Sequence, residues 1–177
     1  MSAGPEQIAP RRADEEPASM DPIDILNQQH DEAESLFQQL SLATGEERFH
    51  LFRRLAWLLT LHTQLEERYF YPTVKLAQTE DLLHHSYDDH AASKALILRM
   101  LRLDVSDMQF EPALVELRTS VEAHVAEERS TLFPWVQRLF SAEQLALLGD
   151  ELARRTNELA QPNALPTLSS EPQPGMY

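Results

Sequence analysis

Two segments of the chain repeat one arrangement of imidazole and carboxylate: His62-Thr63-Gln64-Leu65-Glu66 and His124-Val125-Ala126-Glu127-Glu128. In each, a glutamate follows a histidine by four residues and a proline, Pro72 or Pro134, follows it by ten. On a helix, positions i and i+4 share a face one turn apart, so each segment sends both groups the same way. The flanking apolar residues make that direction inward. Leu51, Leu55 and Leu58 share the face of His62, and Leu114, Leu117, Val121 and Leu132 share that of His124. A buried carboxylate is costly unless it is paired, hydrogen-bonded or bound to metal. A chain that buries two of them, each beside an imidazole, must fold as helices around a polar centre.

Two single histidines complete the set. His30 lies four residues after Leu26 and seven before Phe37, and His90 lies seven after Leu83 and seven before Ile97. The order His, then His-x-x-x-Glu, thus occurs twice, with offsets of 60 (His30 to His90) and 62 (His62 to His124). It reads as two related helical hairpins. A lone core histidine is more often a hydrogen-bonded one than a ligand, but the duplication points to metal. Four imidazoles and two carboxylates suit two borderline ions, iron first, with manganese or zinc as alternatives. Such a pair is expected about 3.5–4 Å apart. Ferritin-like bundles use Glu-x-x-His, the reverse order at a spacing of three. A bis-histidine haem would leave two buried glutamates unexplained.

The rest of the sequence agrees with an all-α, up-down-up-down four-helix bundle followed by a short fifth C-terminal helix. Asp21 as N-cap and Pro22 after it open the first helix, which runs to about Leu42. The second is expected over about 46–76, kinked or ended at Pro72. The third spans about 79–103 and the fourth about 110–140. Ser141-Ala142-Glu143-Gln144 is a capping box for the fifth, ending near Leu159. Residues 1–20 and 161–177, rich in proline and small polar residues, are expected to be disordered tails around a bundle of residues 21–160.

Charge and cysteine usage narrow the chemistry. The formal net charge of −14 argues against binding a nucleic-acid backbone. Cysteine is absent, so any metal takes nitrogen and oxygen ligands. No secretory signal is visible, and the run Leu55 to Leu61 is too short to span a bilayer, so a cytoplasmic protein without membrane contact is expected.

The set His30, His62-x-x-x-Glu66, His90 and His124-x-x-x-Glu128, with Tyr71-Pro72 and Phe133-Pro134 downstream, resembles that of the hemerythrin-like proteins with the HHE cation-binding domain. The resemblance runs from about Asp21 to Leu159. It implies a non-haem di-iron centre with an oxo or hydroxo bridge. His30 and His62 would hold one iron, His90 and His124 the other, and Glu66 and Glu128 would bridge them. Oxygen-carrying hemerythrins have a further histidine on the third helix. Here the positions four before and four after His90 are Ser86 and Lys94. Water, Glu127 or Tyr87 would fill the gap.

The expected function is binding of, or reaction with, O2, peroxide or nitric oxide at the di-iron centre, catalase-like peroxide removal being one form of it. The alternative is a non-catalytic carrier, store or sensor of iron or O2, working through a partner docked on the tails. Elsewhere, His50, His84 and His85 read as surface residues, the last two beside Asp88 and Asp89. Glu67 reads as pointing away from Glu66. Trp57 and Trp135 read as packing residues.

Overall fold

Asp21 caps the first helix through its carboxylate, which accepts a hydrogen bond from the Ile23 N–H at 2.8 Å. In the computed structural model, which describes residues 20–160, helix α1 covers Pro22–Leu42 and its cap is the one the sequence predicts. The predicted tails lie outside the described residues, apart from Met20. Only Ala43 and Thr44 separate α1 from the next helix. Gly45 opens that helix at φ +56°, a left-handed conformation that costs glycine nothing.

Helix α2 (residues 45–74) is continuous but not uniform. An α-helical stretch, Gly45–Leu65, passes through a π turn, Glu66–Phe70, into a last α turn, Tyr71–Val74. Pro72 therefore does not end the helix, which continues two residues beyond it to Val74. The π turn closes through the Tyr71 N–H and the Glu66 carbonyl, five residues back. That wider turn relieves the clash a proline ring makes with the carbonyl four residues before it. Helix α3 (Glu80–Met100) follows a turn tied by Thr79, whose hydroxyl donates to the Val74 carbonyl at 2.8 Å.

Helix α4 (residues 110–139) repeats the construction of α2. Its α-helical stretch Phe110–Glu127 enters a π turn, Glu128–Leu132, before Phe133–Leu139. Here the Phe133 N–H reaches the Glu128 carbonyl, and Pro134 follows as Pro72 does. Both halves of the chain thus carry an extra residue at the same place, directly after the inward glutamate.

Ser141 and Gln144 form the expected capping box, with Ser141 N–H to Gln144 Oε1 at 2.8 Å and Gln144 N–H to Ser141 Oγ at 3.2 Å. The helix they open, α5 (Ala142–Leu159), ends where the sequence places it. Its 18 residues lie along α1 and α2. A Cβ at Gly149 would stand 1.6 Å from the Met20 carbonyl oxygen, so only glycine lets α5 come this close to the entry of α1. Arg155 caps the contact from above, its guanidinium 4.8 Å from the Tyr69 ring centre. Helices α1 and α2 are covered in this way.

The four long helices make the up-down-up-down bundle that the sequence implies. Their apolar core is divided in two. One cluster, around Leu36, Leu40, Leu55, Phe110 and Leu117, fills one end. The other, around Leu26, Leu65, Phe70, Leu132 and Leu148, fills the end under α5. Between them lies a belt of buried polar side chains. Trp57 and Trp135 stay partly exposed rather than packing inside. Among the described residues no helix is long and apolar enough to cross a membrane.

Candidate metal centre

All six residues singled out by the repeat meet in that belt. His30, His62, His90 and His124 are each no more than 6% exposed, and Glu66 and Glu128 are 0% and 1% exposed. The Nε2 atoms pair across each hairpin: His30 to His62 at 3.1 Å and His90 to His124 at 3.1 Å. The carboxylates join the pairs. Oε2 of Glu66 stands 3.1 Å from His62 Nε2 and 3.2 Å from His90 Nε2. Oε2 of Glu128 stands 3.3 Å from His30 Nε2 and 3.5 Å from His124 Nε2. Each imidazole pair belongs to one half of the chain, and each glutamate spans the two halves.

The protonation this geometry allows explains why a cation fits. His62 Nδ1 faces the Gln29 amide oxygen at 2.9 Å, and His90 Nδ1 faces the Glu67 carboxylate at 3.1 Å. A ring that donates through Nδ1 presents Nε2 as a bare lone pair. Two such nitrogens and two carboxylate oxygens then point lone pairs at common centres. Oε1 of Glu66 and Oε2 of Glu128 have no hydrogen-bond donor among the described residues. Two groups could each hold a metal ion: His30, His62, Glu66 and Glu128; and Glu66, His90 and His124. Ligand atoms bound at about 2.1 Å to one ion lie roughly 3 Å apart when adjacent, which matches these separations.

Without metal the six groups divide a few protons unequally. Burial and the neighbouring His62 lower His30 to about 3. Burial lowers His124 to about 4 against the pull of Glu128. His90 goes the other way: burial is outweighed by hydrogen bonds to Glu66 and Glu67, raising it to about 9. Burial also works against Glu66, but His62 and His90 overcome it and hold its carboxyl well below the usual range. Burial and the charge of Glu66 push Glu128 up to about 7.

Three residues around the centre escaped the sequence reading. Tyr71 sends its hydroxyl between the carboxylates, 2.8 Å from Glu128 Oε1 and 3.2 Å from Glu66 Oε2. Burial and the two carboxylates raise its pKa far above the ordinary phenol, so it holds its proton. Glu67 does not turn away. It holds His90 from behind and is itself held by Lys94 at 2.6 and 2.7 Å. Gln29 does the same for His62. Tyr87, expected as a gap filler, packs its ring on Tyr71 with centroids 5.3 Å apart. Glu127 faces His85 on the outside, 3.7 Å away, rather than the six-residue cluster. His50 and His85 are exposed, as expected.

A small cavity of about 20 Å3 lies against the four imidazoles, walled by Leu58, Ile97 and Val121. That is room for one water-sized molecule. A wider groove of about 330 Å3 reaches His30 between α1 and α4, lined also by Glu34, Phe37, Val125 and Arg129.

Bundle and site together define a helical protein whose core presents histidine and glutamate groups suited to a metal cofactor. Comparison with known proteins makes the class specific. The family model described as "Hemerythrin HHE cation binding domain" matches residues 21–136, and the chain belongs to that family. A solved structure, the hemerythrin HHE cation binding domain-containing protein from Mycobacterium kansasii that is an Rv2633c homolog, shares the fold. It superposes with a TM-score of 0.71 at 24% identity, covering 78% of this chain and 86% of that one. A curated relative, a DNA nickase from Nostoc sp., is 25% identical over 139 residues. That match covers 78% of this chain and 40% of the relative, so the chain spans less than half of that protein's length.

Proposed function

We propose that residues 21–160 hold two iron ions and bind or react with O2, peroxide or nitric oxide between them. The observation that carries this is the closed ring of four Nε2 and two Oε2 atoms, with neighbours 3.1–3.5 Å apart. His30 and His62 would hold one ion, His90 and His124 the other, and Glu66 and Glu128 would bridge them. Imidazole and carboxylate together suit iron, with manganese or zinc as competitors. When bound, two adjacent iron ions supply two-electron chemistry for O2 or peroxide.

The chain's own residues do the rest. Tyr71 keeps a proton 2.8 Å from Glu128, ready to be donated toward a small ligand's oxygen or to fix that carboxylate. The walls of Leu58, Ile97 and Val121 confine the cavity to about 20 Å3, room for one small ligand. The groove between α1 and α4 is wide enough to admit a small uncharged ligand. The nickase name of the Nostoc relative raises nucleic acid as a partner, but a net charge of −14 sets long-range electrostatics against it, and DNA forms no part of this reading.

Elemental analysis tests the centre first, with two irons per chain as the expected result. Oxygen evolution from peroxide then separates an enzyme from a carrier or sensor. A spectral change on adding O2 or nitric oxide without turnover would favour the latter. A chain that takes up no metal would end both readings.

Glu67 gives a second, finer test. A carboxylate behind a ligating imidazole raises its basicity and fixes its ring. Glu67→Gln is expected to weaken metal binding at the His90/His124 position by roughly 10–100-fold and to leave the other position unchanged. Competition with a chelator reads this out. Equal weakening at both positions would mean that Glu67 acts on the fold rather than on His90.

A further inference from the structure

The two halves of the bundle match closely around the centre, but they part company one shell out. Offsets of 60 and 62 pair Ile25 with His85, Gln29 with Asp89, and Leu65 with Glu127. In the first half these residues are buried, at 6%, 8% and 0% exposure, with Ile25 and Leu65 in the apolar cluster shared with α5. In the second half the corresponding face is partly exposed among the described residues. There the same three positions carry an imidazole and two carboxylates. Side-chain exposures are 63% for His85, 28% for Asp89 and 35% for Glu127.

One ligand atom from each of His85, Asp89 and Glu127 lies within 4.8 Å of the other two, with His85 Nε2 to Glu127 Oε2 at 3.7 Å. Among the described residues neither carboxylate has a lysine or arginine partner. Behind it stands His124, buried, with its Nδ1 lacking any hydrogen-bond partner among the described residues and aimed at Asp89 Oδ2, 3.7 Å away. Asp89 thus faces outward to the cluster and inward to a histidine of the buried centre.

We propose that His85, Asp89 and Glu127 form an outer site for a divalent first-row metal ion, and that this site loads the His90/His124 half of the centre. The outer site stands by itself; the loading role rests on the function proposed above. One imidazole and two carboxylates are a common donor set for zinc, manganese, cobalt and ferrous iron. Bonds of about 2.1 Å would draw the three donors to roughly 3–3.5 Å of one another, a small movement for exposed side chains. Two exposed carboxylates also raise the local cation concentration, which speeds capture. The first half carries no such donors, because Ile25 and Leu65 stand at two of the three positions.

Anaerobic titration of the full chain with cobalt(II) tests the site. Three equivalents are expected, two tight and one weaker, with His85→Ala and Glu127→Gln each losing only the weaker one. Neither residue belongs to the buried ring. Stopped-flow uptake of iron(II) tests the loading role. The variants are expected to fill the centre about tenfold more slowly, with the same final content. A wild-type titration that ends at two equivalents, or a third equivalent that persists in both variants, overturns the outer site. An unchanged uptake rate overturns loading. A wild type that binds one equivalent, lost in His85→Ala, upholds the outer site while removing the buried centre.

Discussion

Glu66→Ala and Glu128→Ala are each expected to strip both metal positions, lowering metal content from two ions per chain to fewer than one and abolishing any turnover. The reason is geometric. Each carboxylate reaches an imidazole of both halves, Glu66 spanning His62 and His90 and Glu128 spanning His30 and His124. Removing a terminal ligand weakens one ion, whereas removing a bridge weakens two. Metal analysis and circular dichroism check this together, because the helices should persist. The apolar clusters above and below the centre, around Leu36 and Leu26, do not depend on it. Metal-free Glu128→Leu should be at least as stable as the metal-free parent. A leucine of similar volume removes a buried oxygen that finds no donor, and the Tyr71 hydroxyl, losing Glu128 Oε1, keeps Glu66 Oε2 at 3.2 Å as its acceptor. Two full equivalents of metal in both alanine variants would sink the ligand assignment.

Metal removal is expected to have the next largest effect, and its size should depend on pH. Two sites each saturated about a thousandfold would add roughly 8 kcal/mol, or on the order of 15–30 °C in Tm for a chain of this size. The metal-free chain should be most stable at about pH 6–6.5, by the following signs. His30 and His124 fold with pKa values of about 3 and about 4, below the ordinary 6.5, so the unfolded chain takes up protons that they refuse. Their effect is to lose stability as the pH falls below 6.5. Glu66, lowered when folded, acts the same way below the usual carboxylate value. Glu128 and His90 have the opposite sign. Raised to about 7 and about 9, they stabilise when protonated, and that stability is lost as the pH rises through those values. Bound metal takes the place of these protons, so the loaded chain should hold its Tm from pH 6.5 to 9 where the metal-free chain falls. Thermal melts across that range, with and without chelator, decide it. Parallel curves would show that the polar belt titrates without regard to metal.

The sequence made the bundle readable because its signals are local. Asp21 with Pro22, and Ser141 with Gln144, mark helix starts within three residues, and both caps are formed as expected. The inward set was readable for the same reason, since His62 and Glu66 or His124 and Glu128 need only one helical turn to align. What escaped depends on the π turns or on how helices cross. Glu67, one step beyond Glu66, is turned toward α3, where His90 and Lys94 hold its carboxylate. Tyr71, five residues after Glu66, comes back over the same carboxylate. The available sign was the repeated distance of six residues from each inward glutamate to its proline, Pro72 or Pro134. Glu127 was misplaced for another reason. Its direction is set by α3 alongside, where His85 meets it, and no periodicity in α4 reports that. The packing of α5 along α1 depends on Gly149 at Met20, a close approach between distant residues.

The paired π turns also let each long helix absorb one surplus residue without losing phase. Were Glu66–Phe70 to become an ordinary α-helix with all five residues kept, everything beyond it would turn by about 100°. Tyr71 would swing off the carboxylates while His62 stayed in place. Taking one residue out as the helix regularised would cancel that rotation and leave the phenol one turn after Glu66. A deletion here would therefore be felt as a shortening more than as a rotation.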